Sequence, residues 1–201
     1  MADSNITKQA LSAALKELLE EQPFDRISVS EICDRCHMNR KSFYYHFRDK
    51  YDLANWIFDT EFVELTKAYS LDVMNVSYTF EERWHGLMVV CEYFYENRNF
   101  YRRLLQVDGQ NSFSSHFRDF LYPILQHRVM DLVGQENVPQ MVLDFFVDGL
   151  QCTIERWLLG KECVSAEEFV GNLKQLINLL ILGMNKRTQE DPDWVDKLQN
   201  M

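Results

Sequence analysis

The strongest constraint in this sequence is a pair of helix-start signals, Ser28 and Asn39, set so close together that the helices they open must cross. Ser28 followed three residues on by Glu31 is a capping box, in which hydroxyl and carboxylate each satisfy an amide that the first helical turn leaves without a partner. A helix therefore starts at about Val29. Its apolar residues Val29, Ile32, Cys33 and Cys36 recur at helical spacing, while Ser30, Asp34 and Arg35 stay in water. Asn39 offers a second N-cap. Only Cys36, His37 and Met38 lie between, and a turn that short imposes the steep crossing of a helix-turn-helix.

Phe43 and Phe47, four apart, lock the second helix onto the first, with Met38 as the apolar plug of the turn. This leaves Arg40, Lys41, Ser42, Tyr44, Tyr45 and His46 to the outer surface and edges, and these are side-chain types that contact phosphates and base edges in a major groove. With the caps Ser28 and Asn39 they form the expected DNA-contacting set, centred on a recognition helix over 39–46. Asp49 and Asp52 start the next helix. Lys50 in its first turn opposes the helix dipole, and a bound phosphate would explain that placement.

The chain carries 21 Lys and Arg against 31 Asp and Glu, a net charge of −10, which argues against a polyanionic partner unless positive charge is concentrated somewhere. Between Arg35 and Lys50 it is: Arg35, Arg40, Lys41, Arg48 and Lys50 face the single acid Asp49, with His37 and His46 in addition. A solvated charged face on a small helical subdomain would account for the charge. It would not account for the coincidence of that charge with two caps and a short turn.

Residues 6–58 resemble the N-terminal DNA-binding domain of the TetR family of bacterial regulators. The resemblance rests on Ser28-Val29-Ser30-Glu31-Ile32, the turn Cys36-His37-Met38, and Phe43-Tyr44-Tyr45-His46-Phe47 followed by Lys50 and Leu53, in order and spacing. The family's turn usually carries alanine-glycine-valine, so His37 stands at the glycine position and has to accept a left-handed backbone. Asn39 to Phe47 together with Tyr51 to Phe58 is also similar to the branch that contains activators of dihydroxyacetone kinase operons. The resemblance implies a homodimer whose recognition helices enter successive major grooves of double-stranded DNA, about 34 Å apart or more, on a near-palindromic operator. It also implies control by a small-molecule effector or a co-regulator protein acting on the body.

The remaining sequence is read as helical throughout. Of 201 residues 46% are hydrophobic, with only seven glycines and four prolines, so strand-and-turn signals are scarce and an all-α fold is expected. The reading is a helix-turn-helix domain over 1–50 and a helical effector-binding and dimerisation domain over 51–201. The first helix runs from about Asn5 to Gln22 before Pro23, with Ile6, Ala10, Leu11, Ala14, Leu15, Leu18 and Leu19 on one stripe. The helix from Asp49 carries Leu53, Trp56, Ile57, Phe62 and Leu65 and links head to body. A loop is expected over 70–78.

Thr79 to Glu82 is a capping box for a helix to about Asn97, and a short helix over 100–106 precedes a turn at 108–111. A helix over about 112–133 contains Pro123, which predicts a kink or break near Asp119 and Phe120. Pro139 opens a helix to about Leu159, and Ser165 with Glu168 caps the last, to about Leu182 before Gly183. Beyond Asn185 a polar, partly frayed tail is expected.

Those last two helices are apolar over an arc wider than one core needs. Phe145, Phe146, Gly149 and Leu150 in one, and Leu173, Ile177 and Leu180 in the other, are the expected dimer interface. Aromatic or polar residues on inward faces of the body, Trp84, His85, Tyr93, His116, Tyr122 and Trp157, are candidates for the effector pocket, although aromatics at helical spacing belong to a core more often than to a pocket.

No charge cluster in the body points to a metal or a charged effector, and no cofactor is expected. The five cysteines are read as reduced. Cys33-Asp-Arg-Cys36-His37 has the spacing of a c-type haem attachment site, but that chemistry needs an exported, exposed segment, and core cysteines are expected instead. Neither a membrane span nor a signal peptide is indicated, so the cytoplasm is the expected location. An enzyme is not expected, because there is no glycine-rich phosphate loop, nucleophile elbow or paired catalytic residues at a recognised spacing. The alternative to a DNA-binding regulator is a helical interaction module that regulates through a partner protein without binding DNA itself.

Overall fold

The computed structural model describes residues 2–69, 79–107, 112–133 and 138–190, and of residues 2–4, 80, 131–133, 180, 181, 183–185 and 187–190 the backbone only. Among the described residues every regular element is a helix: α1 Ala2–Glu21, α2 Val29–Arg35, α3 Arg40–His46, α4 Lys50–Ala68, α5 Phe80–Glu96, α6 Arg98–Leu105, α7 Phe113–Val133, α8 Gln140–Leu159 and α9 Ala166–Glu190, with a 3-10 turn at Phe24–Arg26. The expected loop at 70–78 and turn at 108–111 lie outside the described residues. The chain divides into two compact units, 1–163 and 164–201.

Capping chemistry sets the starts. Ser28 with Glu31 and Thr79 with Glu82 each form both reciprocal bonds of a capping box. Asn39 accepts from the Ser42 amide, and Asp49 from the amides of Tyr51 and Asp52. Inside the first unit, α1 packs on α2, α3, α4 and α6, and its residues Leu11, Leu15 and Leu18 are buried with Ile27, Ile32, Phe43 and Leu53 in a small core. Burying a side chain of that size contributes about 1.5–3 kcal/mol, which is the main force holding so short a helix set together.

A second core lies under α4, where Phe58 meets Phe94, Tyr101, Phe113, Phe117 and Phe120 at ring-centroid distances of 5.0–6.3 Å. The helix α4 thus contributes Leu53 to one core and Phe58 to the other. Arg98 at the start of α6 donates from Nε to the Leu158 carbonyl at 2.9 Å and from Nη2 to the Gly160 carbonyl, closing the C-terminal end of α8. Arg118 of α7 bonds Asp144 at 2.9 Å and Asp148 at 2.7 Å on α8.

Two expected interruptions do not occur. The helix α7 runs through Pro123 without a break at Asp119 or Phe120. Both Pro123 and Asp119 are exposed, so water can replace the hydrogen bond that the ring removes. In the second unit α9 continues past Gly183 to Glu190, because a glycine inside a helix costs only about 1 kcal/mol and does not by itself end one.

Candidate nucleic-acid interface

The turn between α2 and α3 is closed mainly by backbone bonds, with the Cys36 thiol donating to the Ile32 carbonyl at 3.3 Å. The His37 amide donates to the Asp34 carbonyl at 3.2 Å and the Met38 amide to the Cys33 carbonyl at 2.8 Å. This double closure, a Schellman motif, requires a left-handed residue at its centre, and His37 has φ 55°. The expectation taken from the glycine position is met by a histidine that stays exposed and carries the strain of a Cβ, about 1–2 kcal/mol. Cys33 is buried in the head core, where desolvation raises its thiol pKa, so it serves packing.

With Phe43 and Phe47 buried, α3 turns Arg40, Lys41, Tyr44 and Tyr45 outward. Spaced i, i+1, i+4 and i+5, they form one continuous face. Tyr45 is 83% and Tyr44 51% exposed, which is unusual for rings of that size. Tyr44 is held by an edge contact with Phe43 at 5.5 Å and lies under the Arg40 guanidinium at 6.0 Å. Tyr45 meets the His46 ring edge-on at 4.9 Å and otherwise projects freely enough to reach a groove. Ser42 and His46 are half-buried at the edge of the face. The caps Ser28 and Asn39 are exposed, but their side-chain oxygens are already engaged, Ser28 Oγ with Glu31 and Asn39 Oδ1 with the Ser42 amide.

The cluster of five cations is smaller than the sequence suggested. Arg35 is a brace between helices, donating to Glu21 at 2.8 and 2.7 Å and to Glu17 at 3.5 Å. That pairing lowers the Glu21 pKa and raises that of Arg35. The phosphate role expected for Lys50 is corrected. Its Nζ donates to the carbonyls of Phe24 at 2.7 Å, Asp25 at 3.0 Å and Ile27 at 2.8 Å. An ammonium has three donors and all are used, so the carbonyls clustered at the 3-10 turn, of which Phe24 also accepts from the Ile27 amide, explain a lysine at the start of α4. Desolvation lowers its pKa, against the pull of Asp25 and Glu31.

Replacing Lys50 with methionine is therefore expected to destabilise the chain by about 2 kcal/mol, the cost of leaving partly buried carbonyls without donors. A lowered urea midpoint checks it. An unchanged midpoint with weakened DNA binding would return Lys50 to the phosphate backbone.

The six residues proposed as an effector pocket do not come together. Trp84 is buried and His85 exposed. Tyr93 donates to Glu61 at 2.7 Å and meets the buried Tyr101 hydroxyl, while Glu61 pairs with Lys16, so a polar chain runs from α1 through α4 and α5 to α6. His116 bonds Asp59 at 2.7 Å. Tyr122 accepts from Gln140 at 2.7 Å under the Arg118 guanidinium. Trp157 stacks on Tyr95 at 6.2 Å. Tyr93, His116, Tyr122 and Trp157 are thus each engaged by a neighbour rather than turned to a shared space.

A cavity of about 780 Å³ opens instead between α1 and the α5–α6 corner, and is lined by Lys16, Glu20, Asn99, Arg102, Arg103 and Gln106 among others. Sequence reasoning passed over it. The available signal was a run of arginines at 98, 102 and 103 with no acid three or four positions away.

In the expected dimer face, Phe145 (74% exposed) and Phe146 lie on the outside of α8 beside Met141, with Gly149 exposed and Leu150 half-buried. The buried side of α8 is Leu143, Val147, Gln151, Ile154 and Leu158. In the second unit Ile177, Leu176 and Leu179 are exposed on α9 and Leu173 is half-buried, while the Leu180 side chain lies outside the described residues. No helix of the described residues is long and apolar enough to cross a membrane.

Comparison with known proteins agrees with this geometry. Residues 11–56 match the family of bacterial regulatory proteins called tetR, and residues 82–179 match a transcriptional regulator C-terminal region of the same family. The chain is 29% identical over 108 residues to the HTH-type dhaKLM operon transcriptional activator DhaS of Lactococcus lactis subsp. lactis, covering 54% of either chain. It therefore spans about half the length of that curated relative. Two solved structures share the fold at 22% identity: a dihydroxyacetone kinase operon activator DhaS, TM-score 0.58 over 90% of this chain and 97% of that one, and a TetR transcriptional regulator from Streptococcus agalactiae 2603V, TM-score 0.60 over 88% and 96%. With a DNA-reading head at 11–56 and a regulator body at 82–179, the chain belongs to the TetR family of DNA-binding transcriptional regulators.

Proposed function

We propose that the chain acts as a homodimer on a near-palindromic operator, with Arg40, Lys41, Tyr44 and Tyr45 of each copy in the major groove and a small molecule or partner protein on the body setting the DNA affinity. The observation that carries this reading is the outward face of α3, two cations and two tyrosines held up by Phe43 and Phe47. A head that had lost DNA binding has no use for tyrosines so exposed. Sequence similarity to the Lactococcus lactis activator favours the dihydroxyacetone kinase operon branch, in the cytoplasm.

Affinity for a duplex selected from a random pool is expected to fall about a hundredfold or more between 50 and 200 mM salt, since each neutralised phosphate releases counterion. Salt-independent binding, or none, would defeat the reading.

Pairing is assigned to the outer side of α8, where Met141, Phe145 and Phe146 form an apolar patch on a chain of net charge −10. Phe145→Asp places a charge in that patch and is expected to turn the dimer into a folded monomer in sedimentation. A variant that still sediments as a dimer would move the interface elsewhere.

A further inference from the structure

We propose that the cleft between α1 and the α5–α6 corner is a binding site for a small polar metabolite bearing a phosphoryl or carboxylate group. Its volume, about 780 Å³, lies within the range of ligand pockets. The Arg102 Nε is buried and has no hydrogen-bond partner, and among the described residues neither Arg102 nor Arg103 has a carboxylate within ion-pairing distance. In a chain with 31 acids, two adjacent guanidinium groups left unpaired at a cavity are an anomaly.

A guanidinium is a planar fork of donors that fits the oxygens of phosphate or carboxylate two at a time, so an oxyanion is the ligand chemistry that answers both unmet donors. Asn99 and Gln106 on the same wall supply amides, and Glu20 on the α1 side can accept from a ligand hydroxyl. The exposed Arg40 on the face of α3 differs in kind, since its guanidinium lies open over the Tyr44 ring.

The site has a mechanical consequence. One wall, α1, belongs to the DNA-reading head and the other, α6, to the body, so a ligand that bridges them changes the freedom of the head. In this respect the proposal deepens the effector reading above and rests on it, whereas binding itself can be read without DNA.

The test is calorimetric titration of the full chain with inorganic phosphate, and in a second arm with citrate, at ionic strength held constant with sodium chloride. Saturable binding of at least one is expected, weakened at least tenfold by Arg102→Gln and tightened severalfold by Glu20→Gln, which removes a like charge from the exposed rim. If Arg102→Gln melts early, Arg103→Gln, which leaves the buried guanidinium in place, carries the same expectation. No saturable binding by the parent chain, or equal binding by the arginine variants, would overturn the site. A chain that binds phosphate but no duplex would leave this site standing and refute only the regulator reading.

Discussion

Exchanging Lys41 and Tyr45 together for alanine lowers operator affinity by at least about a thousandfold and leaves the urea midpoint within error of the parent. Both side chains are exposed, and neither holds another element in place: Tyr45 touches the His46 ring, and Lys41 stands in water. Substitutions at such positions change stability by no more than about 0.5 kcal/mol. On DNA the same two side chains are each used twice, once per half-site. A hydrogen bond to a base edge or a phosphate is worth about 1 kcal/mol or more, so even that figure summed over both residues and both half-sites reaches about 4 kcal/mol, or roughly a thousandfold. Anisotropy of a labelled operator measures the loss. If affinity stayed within tenfold, the groove-facing surface would have to be sought on α2 or at Arg48, the exposed cation that the head core leaves outside.

The two residues should separate by salt. Loss of Lys41 is expected to flatten the dependence of log affinity on log salt by about one to two, as befits a phosphate contact made once per half-site. Loss of Tyr45 should leave that slope alone and reduce discrimination between sequences instead.

How far this surface could be read in advance depended on the range of each interaction. The caps at Ser28, Asn39, Asp49 and Thr79 involve residues two or three apart, and all of them form as their spacing implies. The left-handed turn residue His37 was legible for the same reason. Lys50 was not, because the carbonyls it serves lie 23 to 26 positions earlier in the chain. Arg35 reaches back 14 and 18 positions to Glu21 and Glu17. A count of charge in a window therefore overstated the free cations on the head. In the body, Trp84 and Trp157 are buried as their spacing implies and His85 is exposed, but which aromatics share a wall depends on how α4 to α8 pack. Tyr93 and His116 found partners on α4 and Tyr122 on α8, and none of the three lines the cleft beside α1.

The same dependence on packing makes Phe58 the most consequential residue that spacing alone passed over. It follows Ile57 on α4, is fully buried, and touches rings from α5, α6 and α7. Phe58→Ala is expected to cost about 3–5 kcal/mol, the usual range for removing a ring from a core that cannot collapse into the space. Its neighbours are themselves rigid rings on separate helices, so collapse would need several helices to move at once. A loss of that size is a large part of the 5–15 kcal/mol that holds an average domain together, and α4 is the helix that carries both cores. The urea midpoint should therefore drop and DNA binding weaken with it, even though Phe58 lies on the body side of α4 and far from the outward face of α3. Phe58→Leu retains most of the volume and is expected to cost no more than about 1.5 kcal/mol, with DNA binding kept. Should Phe58→Ala melt with the parent while DNA binding is lost, the ring would be acting on the head by some route other than the stability of the core it fills.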